Sequence, residues 1–413
     1  MIVTRAVLRG REGLWNIHVE NGLISAITSS AEAGLCEGDY DAAGKLVCSP
    51  FVENHIHLDY ANTAGVPRIN QSGTLFEAIE IWGERKKAGL NNHDEIKRNA
   101  YAAARSAVSF GVGFVRSHVD VTDPDLIALK ALLELKKEIA DWCNLQIVAF
   151  PQNGIIAFPQ GRDLMKKAMD MGADVVGGIP HLEPTREDGV ESVKFIFDLA
   201  QEHNALVDIH CDEIDDSHSR FLEVMAAETV KRRMHGRVTA SHVVAMAYYS
   251  PAYMARLLPK LVAAGIGFAV CPNENLQLQG RGLSAPIPRG VAPVRTLADA
   301  GLRVAFGQDS IEDPWYPMGV GNPLRNLDAG LHVCHMLSGD YLASCLDFVT
   351  TNPAHNLQLY PAYGLEKGKP ANFIVLDCQT EKEAVQRQAS VLLFVLEGRE
   401  LFRVQPAVIN WCI

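Results

Sequence analysis

The chain has 413 residues, 48% of them hydrophobic, and a formal net charge of −11 at pH 7. An acidic chain without a basic run is not typical of proteins that bind nucleic acid or anionic membrane surfaces, and no stretch approaches the roughly 18 apolar residues of a membrane span. Nine scattered cysteines without a C-x-x-C pair, and an N-terminus without the apolar segment of a signal peptide, predict free thiols and a cytoplasmic location.

Both ends of the chain have the pattern of short strands separated by turns. Residues 1–48 contain four such runs. The stretch that starts near Pro361 contains two more, at residues 372–377 and 391–395. Because β-rich runs bounded by turn residues indicate strands, we predict a small β-sandwich domain formed by residues 1–48 together with residues 361–413.

Residues 49–360 alternate helical segments with eight short β-rich runs. These runs begin at Phe51, Val112, Leu145, Val175, Ala205, Val238, Ile266 and Val304. Their spacings of roughly 25 to 60 residues suit βα units. Eight units over about 310 residues predict an α/β fold, a (β/α)8 TIM-like barrel that is longer than the typical ~250 residues. A doubly wound open sheet is the alternative.

The run that begins at Phe51 ends in two histidines separated by one residue, His55-Ile56-His57. Side chains alternate across a strand, so both imidazoles point to the same face. Neutral imidazole is a good ligand for zinc and iron. A lone pair of this kind is more often two ordinary polar residues at a strand end. It predicts a metal site only together with ligands that follow other strands.

Such residues do follow other predicted strands. Gln152 follows the third run, His210 and Glu213 the fifth, His242 the sixth and Asp309 the eighth. In a (β/α)8 barrel the chemistry lies at the carboxyl ends of the strands, so we expect these side chains to converge. Three histidines and an aspartate can hold one catalytic ion and leave a position open for water.

An ion held in this way lowers the pKa of its water from 15.7 to about 7. Asp309 could then ligate the ion and accept the proton of the water, and Glu213 could serve as general acid to the substrate. His242 would stabilise the water. Each residue also has an ordinary interpretation, since an Asp after a strand is often a helix N-cap.

Longer blocks around these residues resemble the amidohydrolase superfamily and, more narrowly, the bacterial cytosine deaminase group. The resemblance covers nearly the whole chain. It rests on His55-Ile56-His57, residues 210–216, Ser241-His242 and residues 307–309, with support from residues 70–77, 146–152 and 313–317.

The resemblance implies one Fe(II) or Zn(II) ion, and the implied ligands are His55, His57, His210 and Asp309. It also implies that Glu213 carries a proton to the ring nitrogen, His242 orients the attacking water and Gln152 pairs with the amide edge of a pyrimidine base. Trp315 would pack near the base. The implied reaction is hydrolytic deamination at C4 with loss of ammonia. Family members form homo-oligomers, often hexamers, so an oligomer is expected here.

Amidohydrolases that bind two metal ions carry a lysine after the fourth strand, and this lysine bridges the two ions. Here that strand is followed by His181-Leu182-Glu183, which favours a single ion. His181 and Glu183 either line the site or make structural hydrogen bonds.

The chain departs from the cytosine deaminase pattern beside the ligating aspartate. Ser310 stands where a second aspartate is typical, and Gln308 stands where histidine is usual. If Ser310 faces C5 of the base, it leaves room for a substituent, so we expect 5-methylcytosine as a substrate besides cytosine. One methyl group is worth roughly 1–3 kcal/mol in a fitted pocket. Glu274 is a further departure and could recruit a different amino-heterocycle if it reaches the pocket.

Other functions stay open at this point. Isoguanine, creatinine or a triazine-type ring would use the same metal site with a different pocket. A non-catalytic barrel that senses a heterocycle would need neither Glu213 nor His242. A hydantoinase-like hydrolase is disfavoured because the bridging lysine is missing.

Overall fold

The computed structural model describes residues 1–30, 39–282, 284, 287–407 and 410–411. Residues 31–38, 408–409 and 412–413, which the sequence assigns to the terminal β domain, lie outside the described residues. Residues 283 and 285–286 also lie outside them.

The N-terminal segment forms strands whose buried positions carry small and branched apolar side chains. They are β1 (Ile2–Leu8), β2 (Trp15–Glu20), β3 (Leu23–Ser29), β4 (Tyr40–Asp41) and β5 (Leu46–Cys48). Asn21 and Gly22 connect β2 to β3 with φ of 52° and 79°. An Asn-Gly pair adopts this left-handed conformation at little cost, which is why it favours a tight hairpin.

Eight parallel strands in consecutive order form the barrel. They are β6 (Phe51–Ile56), β7 (Val112–Asp120), β8 (Asn144–Phe150), β9 (Val175–Gly178), β10 (Leu206–Cys211), β11 (Val238–His242), β12 (Gly267–Val270) and β13 (Val304–Phe306). A parallel bridge joins Ile56 to Asp309, just past β13. This bridge brings the last strand of the barrel against the first.

Helices cover the outside of the barrel. They are α1 (Leu75–Lys87), α2 (His93–Ser109), α3 (Ile127–Glu138), α4 (Gly161–Asp170), α5 (Arg186–Glu202), α6 (Phe221–Lys231), α7 (Pro251–Ala264), α8 (Pro272–Leu278), α9 (Val294–Asp299), α10 (Pro323–Val333), α11 (Asp340–Ala343), α12 (Thr351–Asn356) and α13 (Glu381–Arg387). Short 3-10 turns occupy Pro180–Leu182, Val244–Tyr248 and Cys345–Val349. Among the described residues, none of the helices has the length and apolar character needed to cross a membrane.

The C-terminal strands complete a second sheet. They are β14 (Phe373–Leu376), β15 (Val391–Leu396) and β16 (Arg399–Arg403). β14 pairs antiparallel with β5, so the sheet runs in the order β16-β15-β14-β5-β1-β2-β3, and β4 pairs with β1. The expected α/β class is confirmed, with a TIM-like barrel and a sheet from both chain ends. The boundaries 1–48 with 361–413, and 49–360, stay a prediction.

Candidate active site

The carboxyl ends of the barrel strands hold a compact group of buried histidines and one aspartate. His55 lies on β6 and His57 directly follows it, His210 lies on β10 and His242 on β11, and Asp309 follows β13. None of the five is more than 5% exposed. His242 and Asp309 have φ of 67° and 66°, in the left-handed region that is uncommon outside glycine and often marks functional sites.

Asp309 lies at the centre of this group. Its Oδ1 is 3.4 Å from His55 Nε2 and 3.5 Å from His57 Nε2, and its Oδ2 is 3.8 Å from His242 Nε2. His57 Nε2 and His210 Nε2 are 3.1 Å apart. Two imidazole nitrogens at this separation need a shared proton or a shared cation, because each otherwise presents a lone pair to the other.

The donor set fits a divalent ion. Ligand atoms of His55, His210, His242 and Asp309 all lie within 4.8 Å of one another. The nitrogens His55 Nε2 and His242 Nε2 have no hydrogen-bond partner among the described residues. Imidazole nitrogen with carboxylate oxygen suits zinc and iron. The predicted ligand set contains His57 in place of His242, and both rings border the same position.

Burial sets the charge of the imidazoles. Burial lowers the pKa of His55, His57 and His242 to about 3, and it also lowers the pKa of His210 well below its usual value. The rings are therefore neutral at physiological pH. Neutral imidazole is the form that binds a metal ion, so the site needs no deprotonation of histidine before binding.

A chain of hydrogen bonds orients His55. Its Nδ1 is 2.9 Å from Ser241 Oγ, which donates to Asp208 Oδ1 at 2.7 Å. Arg116 Nη1 donates to Asp208 Oδ2 at 2.9 Å, and Arg116 and Asp208 are fully buried. Because Nδ1 is occupied by Ser241, Nε2 of His55 is left to face Asp309. Partners of this kind fix the orientation of a metal-binding imidazole.

Asp208 was not predicted as a site residue, although its spacing from His210 in the sequence indicates that it belongs to the site. Asp208 and His210 are two residues apart on β10, so their side chains point to the same face of the strand. His118, which lies in the second predicted run, was also missed. Its ring lies 4.1 Å from that of His55, and neither ring nitrogen has a partner among the described residues.

Glu213 lies beside His242. Its Oε1 is 3.4 Å from His242 Nδ1 and accepts a hydrogen bond from Asn275 Nδ2, also at 3.4 Å. Burial and the nearby charge of Asp309 raise the pKa of Glu213 well above its usual value. The raised pKa favours the protonated carboxyl group, which is the form able to donate a proton.

The turn before Glu213 is held by its neighbour. Asp212 Oδ1 accepts from Ser219 Oγ at 2.6 Å and from the Phe221 backbone N–H at 3.0 Å, and Oδ2 accepts from the Leu222 backbone N–H at 3.0 Å. Asp212 thereby ties the loop after β10 to the start of α6. These bonds fix the backbone from which Glu213 enters the site.

A small cavity opens above Asp309. Its lining combines polar and apolar side chains: Gln152, Glu213, Glu274, Asp309, Ser310, His57, His210, Tyr60, Phe150, Trp315, Leu75 and Ile179. Polar and titratable groups converge on one part of the wall and aromatic and aliphatic side chains form the rest, an arrangement that suits a small flat ligand with several hydrogen-bonding groups. The predicted residues Gln152, Ser310 and Trp315 all lie on this wall.

Tyr60 organises the aromatic side of the cavity. Its hydroxyl donates to Gln152 Oε1 at 2.8 Å, which leaves the Nε2 group of Gln152 to donate to a ligand. Its ring stacks on His57 at 4.7 Å and on Trp315 at 4.8 Å. Sequence reasoning missed Tyr60, because nothing in the local pattern indicates a hydrogen bond to a residue on another strand.

The three residues that depart from the cytosine deaminase pattern, Ser310, Gln308 and Glu274, occupy different positions. Ser310 lines the cavity. Gln308 is buried beneath it and supports the loop: its Nε2 donates to the Ser310 carbonyl at 3.0 Å, and its Oε1 accepts from the Gly321 N–H at 3.2 Å. Glu274 is 1% exposed and lines the cavity.

Glu183 has a structural role. Its carboxylate accepts backbone N–H groups of Ile155, Ile156 and Ala157 at 2.7, 3.1 and 2.9 Å. These bonds hold the loop that follows β8. Of the two alternatives left open for Glu183, the structural hydrogen bond is the one that the structure supports.

The chain is similar to known proteins over nearly its whole length. A family model described as the amidohydrolase family matches residues 40–402. The 5-methylcytosine deaminase from Klebsiella pneumoniae, in a crystal structure with 5-fluorocytosine, is 51% identical with a TM-score of 0.98, and the match covers 100% of this chain and 99% of that one. N-isopropylammelide isopropyl amidohydrolase of Pseudomonas sp. (strain ADP) is 29% identical over 99% of this chain and 98% of that protein. Pterin deaminase of Rhizobium rhizogenes (strain K84 / ATCC BAA-868) is 26% identical over 96% and 90%.

Removal of the serine that links Asp208 to His55 tests the orienting chain. Ser241→Ala leaves His55 Nδ1 without its partner, so we expect roughly 10- to 100-fold weaker metal binding. Metal affinity is measured by competition with a chelator. Ser192→Ala is the matched control, because Ser192 is equally buried and its hydroxyl has no partner among the described residues. Equal affinity in both variants would remove Ser241 from the metal site.

Proposed function

Because the chain belongs to the amidohydrolase family and is therefore a hydrolase of carbon–nitrogen bonds, we propose that its substrate is a free cytosine base, 5-methylcytosine above all. The products would be thymine, or uracil from cytosine, and ammonia. The observation that carries the proposal is a small cavity with Ser310 on its wall, directly after Asp309. The 51% identity to a 5-methylcytosine deaminase supports it.

The family is metal-dependent, and the His and Asp cluster fits one ion. We assign His55, His57, His210 and Asp309 as its ligands and Fe²⁺ or Zn²⁺ as the ion. When bound, the ion supplies the activation of the attacking water. Three neutral imidazoles and one carboxylate leave a net positive charge on the site, which favours loss of a proton from that water.

The chain's own residues carry the remaining steps. Asp309 accepts a proton from the water as its oxygen bonds to C4 of the ring. Glu213 donates a proton to N3, and the hydrogen bond from Asn275 holds its carboxyl group in place beside His242. The bond between C4 and the exocyclic nitrogen then breaks, and the proton held by Asp309 leaves with ammonia. The C4 hydroxyl becomes the carbonyl of the product as its proton returns to Glu213, which restores the acid. A donor fixed in a water-poor site stabilises the charge that develops on the ring.

Gln152 and the aromatic wall position the base. Tyr60 holds Gln152 Oε1, so the Nε2 group can donate to the C2 carbonyl of a pyrimidine. Phe150 and Trp315 flank the space with apolar surface. With C2 at Gln152 and N3 at Glu213, C5 points toward Ser310. A small neutral side chain there accommodates a methyl group, which an aspartate would oppose by its size and its need for water.

Another amino-heterocycle is the second candidate, and Glu274 is the observation that favours it. Isoguanine, creatinine and triazine-type rings belong to this group of alternatives. A non-catalytic sensor would bind a base without turnover. A cytoplasmic location and a homo-oligomer, of which a hexamer is the expected form, remain part of the proposal.

Metal content distinguishes the two possible ligand sets. His57→Asn should lower the bound ion well below one per chain, since a direct ligand is lost. His242→Asn should keep the ion and lower kcat by about 10²- to 10⁴-fold, the usual contribution of a proton-transfer residue. Elemental analysis of the purified variants gives the ion content. Loss of the ion from His242→Asn, with retention in His57→Asn, would make His242 the ligand instead.

Replacement of the proposed acid separates chemistry from metal binding. Glu213→Gln keeps the shape of the side chain but cannot donate the same proton. We expect kcat to fall about 10²- to 10⁴-fold, with the metal content unchanged. Ammonia release from 5-methylcytosine is the assay, and Glu191→Gln, an exposed position on α5, is the control. Unchanged turnover in Glu213→Gln would exclude it from the mechanism.

Selectivity at C5 tests the role of Ser310. Ser310→Asp should shift the ratio of kcat/KM for 5-methylcytosine over cytosine toward cytosine by about 10- to 200-fold, the range expected for one methyl group. Ser310→Ala keeps a small neutral side chain and should preserve the ratio. An unchanged ratio in Ser310→Asp would show that this position does not face C5.

A further inference from the structure

Glu274 is a buried carboxyl group that nothing in the proposed mechanism uses. It lies in the first turn of α8, just past β12, and is 1% exposed. Among the described residues neither of its oxygens accepts a hydrogen bond of good geometry, although the Ser310 hydroxyl lies nearby, and the side chain lines the cavity above Asp309. A buried polar group without a partner costs free energy. Its retention on the wall of a ligand cavity points to a ligand that satisfies it.

The backbone around Glu274 is fixed on both sides. Asn273 Nδ2 donates to Asn326 Oδ1 at 2.6 Å. The Asn275 N–H donates to the Cys271 carbonyl at 2.9 Å, and Asn275 Nδ2 reaches Glu213. These bonds hold the short helix in place, so the direction of the Glu274 side chain into the cavity is set by the fold.

Apart from the neutral Ser310, the titratable groups that face Glu274 are acidic. Asp309 and Glu213 share the cavity with it, and Asp313 lies just behind. Asp313 Oδ1 accepts the backbone N–H groups of Trp315 and Tyr316 at 2.9 and 3.1 Å. Burial, together with these carboxylates, raises the pKa of Glu274 well above its usual value. A neutral carboxyl group at this point still offers a carbonyl oxygen as acceptor.

The order of the strands gives the part of the substrate that Glu274 meets. Going round the barrel, Gln152 follows β8, Glu213 follows β10, Glu274 follows β12 and Ser310 follows β13. In the proposed pose the order of these side chains round the barrel matches the order of the ring atoms. C2 lies at Gln152, N3 at Glu213 and C5 at Ser310. The substituent on C4 lies between N3 and C5. The C4 substituent therefore lies next to Glu274, which is placed between Glu213 and Ser310.

We propose that Glu274 accepts a hydrogen bond from the exocyclic 4-amino group of the substrate and selects bases that carry an amine at C4. This assignment rests on the proposed function, because it uses the pose of a pyrimidine over Asp309. The contact holds the nitrogen that leaves. Glu274 is thus a specificity-determining residue.

Binding in a slow variant tests the assignment without turnover. In the metal-loaded Glu213→Gln protein, calorimetry compares 5-methylcytosine with 5-methylpyrimidin-2-one, the same ring without the amine. A further Glu274→Leu change should weaken binding of 5-methylcytosine roughly 10- to 100-fold, as expected for a lost buried hydrogen bond, and change binding of the analogue less than about threefold. Glu274→Gln keeps an acceptor oxygen and should restore most of the affinity. Thermal melting verifies that each variant is folded.

The other outcomes contradict the assignment in distinguishable ways. Equal loss for both ligands would make Glu274 a purely structural residue. Cytosine serves as a third ligand: a loss seen with 5-methylcytosine but not with cytosine would place the carboxyl group at C5 instead of C4. Failure of the Glu213→Gln parent, with Glu274 intact, to bind any of the three bases would overturn the proposed function itself and this assignment with it.

Discussion

The first and last strands of the barrel meet through the backbone of Asp309, whose N–H donates to the His55 carbonyl and whose carbonyl accepts the His57 N–H, both at 2.8 Å. A second link lies beneath, where Glu53 Oε1 accepts the N–H groups of His55 and Gln308. These bonds close the barrel and fix the Asp309 carboxylate beside His55 and His57. The location of the metal cluster therefore depends on barrel closure, and Ser310 is carried to the cavity wall as the next residue along the chain.

Burial then decides the charge states around Asp309. The imidazoles are neutral, because burial lowers their pKa, while burial raises the pKa of Glu213 and Glu274. A site of this kind presents lone pairs to a cation and carboxylic acids to a ligand. Desolvation makes these buried side chains unfavourable for stability when no ligand or ion is bound. It also strengthens the charge interactions among them. Stability and chemistry at this end of the barrel therefore have the same physical origin.

Much of this arrangement can be predicted from the sequence. Apolar runs at regular spacing predict the strands, and the period of two along β6 predicts that His55 and His57 share a face. The ends of parallel strands meet at one rim, which is why Glu213, His242 and Asp309 converge. The bond from Tyr60 to Gln152, the chain from Asp208 through Ser241, and the unpartnered state of Glu274 could not be predicted. Each depends on register and on side-chain packing between strands that are distant in sequence, and no local pattern records that.

In the proposed mechanism, deamination of a cytosine base requires one divalent ion at this rim of the barrel. The most direct test measures, on one preparation, the number of ions bound per chain and the ammonia released from 5-methylcytosine, before and after removal and restoration of the metal. We expect one ion per chain, loss of ammonia release on chelation, and recovery when Fe²⁺ or Zn²⁺ is added. Ammonia release that persists without a bound ion, or a fully loaded protein that releases none from 5-methylcytosine or cytosine, would contradict the proposed mechanism.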